Sequence, residues 1–188
     1  MALLDDASRN ALMQKARAAI ADAIGAPAGA NDPDDTPTLP AIADPDLHAG
    51  AFVTLRVGGK LRGCIGYPEP DLPLVDVVER CAVSAAISDP RFPPVTATEW
   101  RDVDLELSVL GPIQPVEDMR EVVVGRDGLI VEFGRRRGLL LPQVAVEWKW
   151  DAAEFAAQTC IKAGLPRDAW EKGAKLFKFE AEVFSESE

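Results

Sequence analysis

The apolar positions of this chain repeat with two periods, one typical of helices and one typical of strands. Helical spacing predicts three amphipathic helices: one with Ser8 as its N-cap that ends at Ile24, one that starts at Pro73 and ends near Ser88, and one that opens at the N-cap Asp151. Alternating or short apolar runs predict strands between the helices. These runs cover residues 51–57, 61–66, 103–110, 122–124, 129–133, 139–141 and 177–183.

A segment rich in proline and aspartate separates the first helix from the first strand. Residues 26–46 contain five prolines and five aspartates, a composition that predicts a solvated connector without regular structure. His48, the only histidine, follows this segment. No partner for catalysis or metal binding stands beside it, so we expect an ordinary loop residue.

The order of the predicted elements occurs twice. Each copy has a hairpin, an Arg-Gly pair, a helix that carries a cysteine, a Pro-Arg loop and an alternating strand. The offsets between these landmarks are 75, 79, 76 and 74 residues, for the pairs Arg62 and Arg137, Cys81 and Cys160, Pro90 and Pro166, and Leu105 and Phe179. Four landmarks in register predict an internal duplication, and therefore an α+β fold whose two halves share one sheet. Cys64 has no counterpart, because the matching position is Leu139.

Composition and charge narrow the possible functions. The 188 residues, 47% apolar, can bury the core of one domain with an appendage. The net charge of −11 disfavours binding to nucleic acids and to anionic membranes. No apolar run approaches the roughly 20 residues that span a bilayer, and the N-terminus lacks the features of a signal peptide. Three widely spaced cysteines form neither a disulfide framework nor a zinc pattern, which favours a cytoplasmic location.

Arg62 and Cys64 are the pair of residues whose chemistry most strongly suggests a reactive site. They stand two positions apart in a predicted strand, so both side chains point to the same face. A nearby guanidinium favours the thiolate, which is the nucleophilic and metal-binding form of cysteine. Gly63 and Gly66 remove bulk beside the sulfur and are candidate binding residues, because glycine inside a strand often marks a bulge or the close approach of a ligand or of backbone. The alternative is a packed thiol, because free cysteine usually behaves as a small buried hydrophobe.

Three consecutive arginines, Arg135 to Arg137, stand at the tip of the second predicted hairpin. Such a run is usually a solvated strand end. Guanidinium groups also pair with phosphate and carboxylate groups in a fixed fork geometry, so an anion site is the alternative for this tip.

Six motifs, in this order, resemble those of the AMMECR family. They are Leu61–Gly66, Asp89–Pro94, Gly128–Val131, Leu140–Ala145, Trp150-Asp151 and Thr159–Leu165. The resemblance is to the stand-alone prokaryotic form and extends over residues 8–184. It implies an α+β fold with a duplicated, barrel-like mixed sheet, and a Memo-like protein and a radical S-adenosylmethionine (SAM) enzyme as partners. It implies no settled activity, and it identifies no cofactor.

The resemblance also implies how the chain is divided into domains. Residues 1–50 are expected to form the N-terminal helix and the connector, which looks particular to this protein. Residues 51–184 are expected to form the AMMECR-type domain, with repeat halves at about 51–110 and 122–184, and residues 185–188 a tail.

The first functional hypothesis is a cysteine-dependent enzyme, or the partner of an enzyme, that acts on a small molecule or a protein. Cys64 would be the nucleophile or a metal contact, and Arg62 would lower its pKa or hold a carboxylate or phosphate. Arg91 and Gln143 would close the pocket, and Lys162 is a further binding candidate. No histidine stands near to serve as base, so Cys64 would rely on charge and hydrogen bonds, or on one of three carboxylates: Asp89, Glu106 or Glu147. The pattern indicates no metal site.

The second hypothesis is a non-catalytic binding or adaptor module that works with the Memo-like protein. The strand from Arg62 to Gly66 and the loop from Asp89 to Pro94 would then form a groove for a peptide or a small ligand, with Cys64 as packing. Four aromatic residues would anchor the partner, since aromatic side chains are enriched at binding hot spots; the alternative for each is a place in the core. They are Tyr67, Phe92, Trp148 and Trp150.

Overall fold

The computed structural model describes residues 3–27, 43–69 and 71–186. Most of the predicted connector, residues 28–42, therefore lies outside the described residues. The chain divides into two compact units, residues 1–109 with 182–188 and residues 110–181.

The first unit is built from two helices and a hairpin followed by a third strand. Its elements are α1 (Asp6–Ile24), β1 (Ala51–Val57), β2 (Lys60–Tyr67), α2 (Leu74–Ile87), a 3₁₀ turn (Glu99–Asp102) and β3 (Val103–Leu110). Helix α1 begins earlier than predicted, because the carboxylate of Asp5, and not Ser8, caps it by accepting the Ser8 N–H at 2.8 Å. Gly25 ends it in the left-handed conformation, with φ 65°.

The strand β1 is central in this unit. It pairs antiparallel with β2 on one side and with β3 on the other, and the order continues to the last residues of β7 (Lys175–Ser185). One face of β1, formed by Ala51, Val53 and Leu55, is fully buried in the same core as α1 and α2. The opposite face carries Phe52, Thr54 and Arg56.

The hairpin of β1 and β2 contains an irregularity that the sequence did not predict. The register passes from Leu55 opposite Gly63 to Arg56 opposite Leu61, so Arg62 is the extra residue of a β-bulge. The hairpin of the second unit keeps a continuous register, from Leu129 opposite Leu140 to Phe133 opposite Arg136.

The second unit has the corresponding elements and two additional ones. It contains β4 (Gln114–Pro115), β5 (Asp127–Phe133), β6 (Arg136–Leu140), α3 (Pro142–Glu147), α4 (Ala152–Lys162) and the earlier part of β7. The strand β5 pairs antiparallel with β6 and β7, and β4 pairs antiparallel with β7. Leu129, Val131, Phe155 and Cys160 are fully buried between this sheet and α4.

Two expectations for this unit differ from the structure. The predicted strand at residues 122–124 is a turn, because Val123 exchanges hydrogen bonds with Asp127: its N–H donates to the Asp127 carboxylate at 2.8 Å and its carbonyl accepts from the Asp127 N–H at 2.9 Å. The helix α3 was not predicted, because its residues continue an apolar run. Pro142 at its first turn supplies the helical φ that starts it.

The α+β class is confirmed, and the described ladders are antiparallel. Each unit orders its elements as hairpin, helix and strand, and in each the last strand pairs with the first strand of the hairpin. Gly63 and Gly138 occupy matching places: a Cβ would lie 2.2 Å from the Ala85 carbonyl oxygen at Gly63 and 2.6 Å from the Ala163 nitrogen at Gly138. Both glycines thus let a helix approach its own hairpin. The duplication itself stays a prediction.

Candidate functional site

Cys64 lies in β2, the strand at the edge of the first unit's sheet. Its side chain is half-buried, whereas Cys81 and Cys160 are fully buried, and all three thiols are free. Thr54 stands directly opposite on β1, and its hydroxyl donates a hydrogen bond to Cys64 Sγ at 3.3 Å. The sulfur therefore faces the polar side of the sheet, away from α2.

The backbone of Cys64 is held by a loop. Its N–H donates to Asp89 Oδ2 at 2.9 Å, and its carbonyl oxygen accepts from Arg91 Nη2 at 3.2 Å. An edge strand leaves such groups unpaired, so the Asp89 carboxylate and the Arg91 guanidinium take the place of a neighbouring strand at this point.

Asp89 holds the loop in place. The side chain is almost fully buried, and its carboxylate also accepts from three donors of Arg91: the backbone N–H at 3.0 Å, Nε at 3.0 Å and Nη2 at 2.7 Å. Hydrogen bonds from the Arg91 side chain, together with the N–H of Cys64, hold the pKa of Asp89 well below its ordinary value. A carboxylate with four donors and a low pKa is a poor general base.

The surroundings of the thiol favour its protonated form. Burial raises the pKa of the Cys64 thiol; the Thr54 hydroxyl and the charge of Arg91 lower it, and the carboxylates of Asp89 and Glu106 raise it further, with a raised pKa as the result. Glu106 stands opposite Thr54 in the register of β1 and β3. The sequence hypothesis required the opposite shift.

Arg62, which the sequence paired with the thiol, binds a different group. Its Nε and Nη2 form a fork on the two carboxylate oxygens of Glu99 at 2.6 and 3.0 Å, and Nη2 reaches the Pro94 carbonyl at 3.4 Å. Within the described part of the chain, the buried Nη1 has no hydrogen-bond partner. The guanidinium that contacts Cys64 and lowers the pKa of its thiol belongs to Arg91. Arg62 lies in the bulge and pairs with Glu99, whereas the loop that starts at Asp89 brings Arg91 to β2.

The two glycines of the motif have packing roles. Gly63 lies against α2, as described above. A Cβ at Gly66 would lie 2.3 Å from the ring of Phe52 and 2.5 Å from the Ala51 carbonyl oxygen, so the absence of a side chain makes room for that ring. Their predicted role in ligand binding stays a prediction.

Gln143 and Lys162 belong to the second unit. Gln143 is half-buried near the start of α3, and its Oε1 is buried without a hydrogen-bond partner among the described residues. Lys162 is the exposed last residue of α4, where a positive charge stabilises the helix end. The other five predicted site residues lie in the first unit: Arg62, Gly63, Cys64, Gly66 and Arg91.

Sequence reasoning missed two residues of this site. Thr54 was one polar residue in an apolar run, and Glu99 stood 37 residues from its partner Arg62. The polar position in a buried strand was the available signal for Thr54. Nothing in the sequence near Glu99 indicated its partner.

Two absences apply to the described residues. No group of three or more histidine, cysteine, aspartate or glutamate side chains there has the arrangement of a metal site. In the same ranges, no helix combines the length and the apolar character that crossing a bilayer requires.

Comparison with known proteins identifies the family. The family model described as AMMECR1 matches residues 13–184. A protein of Methanothermobacter thermautotrophicus is 48% identical over 182 residues, which cover 93% of this chain and 92% of that protein. Protein PH0010 of Pyrococcus horikoshii is 46% identical over 188 residues, with 93% of this chain and 88% of that protein covered.

The fold is shared with a solved structure. The crystal structure of the uncharacterized protein PH0010 from Pyrococcus horikoshii superposes with a TM-score of 0.85 and 43% identity, covering 97% of this chain and 93% of that chain. The match to the family model, the similarity of the relatives and the motifs around Cys64 agree, and the chain belongs to the AMMECR1 family.

Proposed function

We propose that this protein is a non-catalytic binding module, and that the loop Asp89–Pro94 with the adjoining strand β2 is its recognition surface. The partners we propose are those that the family resemblance implies, a Memo-like protein and a radical SAM enzyme. Three free cysteines suit a reducing compartment, so we place this assembly in the cytoplasm.

The rigidity of the exposed loop is the observation that carries this proposal. Four hydrogen bonds to the buried Asp89 fix a segment whose residues Pro90, Arg91, Pro93 and Pro94 are exposed. Prolines further restrict its backbone. A surface that is already ordered loses little conformational entropy when a partner binds.

The side chains of the loop are also arranged for recognition. The Phe92 ring lies under two guanidinium groups, with Arg91 at 5.5 Å and Arg62 at 5.9 Å from its centre. Such contacts order both the ring and the arginines. Aromatic and arginine side chains held in this way are the types that dominate binding energy at protein interfaces.

The thiol contributes little to this proposal. At neutral pH roughly a few per cent of a cysteine with an ordinary pKa is thiolate. Burial raises the pKa of Cys64 and therefore lowers its thiolate fraction further. The Asp89 carboxylate already accepts four hydrogen bonds, so it is poorly placed to act as a base. The Arg62 guanidinium already pairs with the Glu99 carboxylate. Cys64 then serves as packing against Thr54.

A second candidate function is the cysteine-dependent enzyme or enzyme partner of the first hypothesis. The observation in its favour is local: Cys64 is half-exposed, and the Thr54 hydroxyl and the Arg91 charge both stabilise a thiolate.

Alkylation of the native protein by iodoacetamide, followed by mass spectrometry across a pH series, separates these functions. The fully buried Cys81, whose pKa burial raises to about 12, and Cys160 are internal controls. For the binding module we expect slow modification of Cys64 that accelerates only at a pH above the ordinary cysteine pKa of about 8.5, because burial raises the pKa of this thiol. Rapid modification of Cys64 alone at neutral pH would favour the enzyme.

Variants extend the test to partner binding. With a co-expressed Memo-like protein, we expect Cys64→Ser to retain binding and the output of the pathway, and Arg91→Ala to weaken binding. Arg120→Ala is the matched control, because Asp118 and Arg120 form the same Asp-x-Arg pair at an exposed site. Retained binding with lost output in Cys64→Ser would overturn the non-catalytic proposal.

A further inference from the structure

A cavity lies in the second unit between the turn that joins β5 to β6 and the segment that follows α4. Its volume is about 510 Å³. Phe133, Leu165, Pro166 and Ala169 supply apolar walls, and Phe133 is 53% exposed. Phe133 is therefore part of a contiguous apolar surface, and such a surface with a polar rim is typical of a ligand-binding site.

Cations surround this apolar floor. Arg135, Arg136 and Lys172 line the cavity. Among the described residues Asp168 is the one acidic side chain that lines it, and it pairs with Lys172 at 2.5 Å. Arg136 Nη1 donates to the Gly164 carbonyl at 2.6 Å, a contact that orients the guanidinium without neutralising it.

Arg135 is the least engaged of these cations. Within residues 3–27, 43–69 and 71–186 it makes no hydrogen bond or ion pair. Two guanidinium groups without a carboxylate partner therefore stand over an apolar cavity, in a chain whose net charge is −11. This local excess of positive charge is complementary to an anion.

The corresponding hairpin of the first unit lacks these features. Its turn passes through Gly58 and Gly59, whereas the turn of the second unit passes through Gly134 and Arg135. In the paired positions that flank the turns, Val57 stands in the first unit where Phe133 stands in the second. A two-residue hairpin turn therefore forms in the first unit without an aromatic residue or an arginine at these positions. The turn geometry does not require Phe133 or Arg135 in the second unit.

We propose that this cavity binds a small organic anion that has an apolar body and one carboxylate. The apolar body would lie against Phe133, Leu165 and Ala169, and the carboxylate would pair with Arg135 and Arg136. The volume falls within the range of about 300–1,000 Å³ that small-molecule sites occupy. A guanidinium fork is the donor arrangement that matches a carboxylate.

Octanoate is the probe for the test, with 1-octanol and acetate as matched controls that lack the charge or the apolar body. We expect saturable binding of octanoate by isothermal titration calorimetry and at least about fivefold weaker binding of either control. Raising the ionic strength is expected to weaken octanoate binding, because an exposed ion pair is screened by salt.

Three variants assign the binding to the cavity. We expect Arg135→Glu to weaken octanoate binding by about tenfold, as for loss of a charge-assisted hydrogen bond, and Phe133→Ser to weaken both octanoate and octanol. Arg120→Glu makes the same charge change at an exposed site of the same unit outside this cavity and is expected to leave binding unchanged.

Each outcome decides the proposal. Absence of saturable octanoate binding, or equal binding of octanoate to wild type and to Arg135→Glu, would overturn it. Equal affinity for octanol and octanoate would also overturn it, since the guanidinium groups would then have no role. Thermal melts of each variant confirm that a lost signal reflects the cavity and not unfolding.

Discussion

The substitution Asp89→Asn tests whether the buried carboxylate holds the loop on β2. Asparagine keeps the shape of aspartate, but it offers one acceptor oxygen and places an NH₂ group where the second oxygen received a donor. Four donors surround that carboxylate: the N–H of Cys64 and three N–H groups of Arg91. At least two of these hydrogen bonds are lost.

The magnitude follows from these contacts. A hydrogen bond to a charged group contributes about 1.5–3 kcal/mol to stability. Arg91 is half exposed, so water replaces part of its lost pairing, whereas the N–H of Cys64 stays covered. We therefore expect Asp89→Asn to lower the free energy of unfolding by about 2–3 kcal/mol. For a chain of this length the corresponding fall in Tm is about 4–12 °C.

Urea unfolding at pH 7, followed by circular dichroism, measures the change. Asp118→Asn is the matched control, because Asp118 accepts the same bonds from Arg120 but both side chains are exposed and no strand depends on them. A loss of stability in Asp89→Asn no larger than that in Asp118→Asn would refute the argument that burial makes the Asp89 contacts strong.

The pH dependence gives an independent check of the same site. Hydrogen bonds from Arg91 hold the pKa of Asp89 below its ordinary value of 3.8 in the folded protein. The stabilisation is therefore complete above that ordinary value and is lost as the pH falls towards the folded value. The difference in stability between wild type and Asp89→Asn should be large at pH 7 and should narrow below about pH 4. A constant difference over this range would contradict the linkage.

The remaining predictions concern two other close contacts. Gly63→Ala places a Cβ 2.2 Å from the backbone oxygen of Ala85, so β2 or α2 must move, and we expect a loss of about 3 kcal/mol or more in urea unfolding; an unchanged midpoint would be evidence against close packing there. Burial alone would raise the pKa of Asp127, but hydrogen bonds from the Arg126 side chain and the Val123 N–H lower it overall. Asp127→Asn should therefore lose stability at pH 7 and show a shallower loss in acid than wild type, measured by the same unfolding series.

Periodicity alone located most of the elements, and it was wrong where neighbouring contacts override it. The sequences of helices α1, α2 and α4 each show an apolar stripe. Gly58 and Gly59, between the first two predicted strands, are typical of a hairpin turn. The valines at residues 122–124 have strand propensity, yet hydrogen bonds to the Asp127 side chain and backbone hold them in a turn. The helix α3 was missed because it follows the apolar run at residues 139–141. In such a run a short buried strand and a short helix cannot be distinguished by periodicity.

The sequence by itself determined the family, the α+β class and the presence in two motifs of Cys64 and Arg91, which stand 27 residues apart. The tertiary structure decided which charges reach the thiol. The bulge at Arg62 and the loop from Asp89 to Pro94 direct one arginine to Glu99 and the other to the backbone of Cys64. Strand alternation places side chains on a face, but it does not choose their partners. Contacts between distant residues make that choice, and here burial raises the pKa of the cysteine that the sequence had suggested would be acidic, more than the Thr54 hydrogen bond and the Arg91 charge lower it.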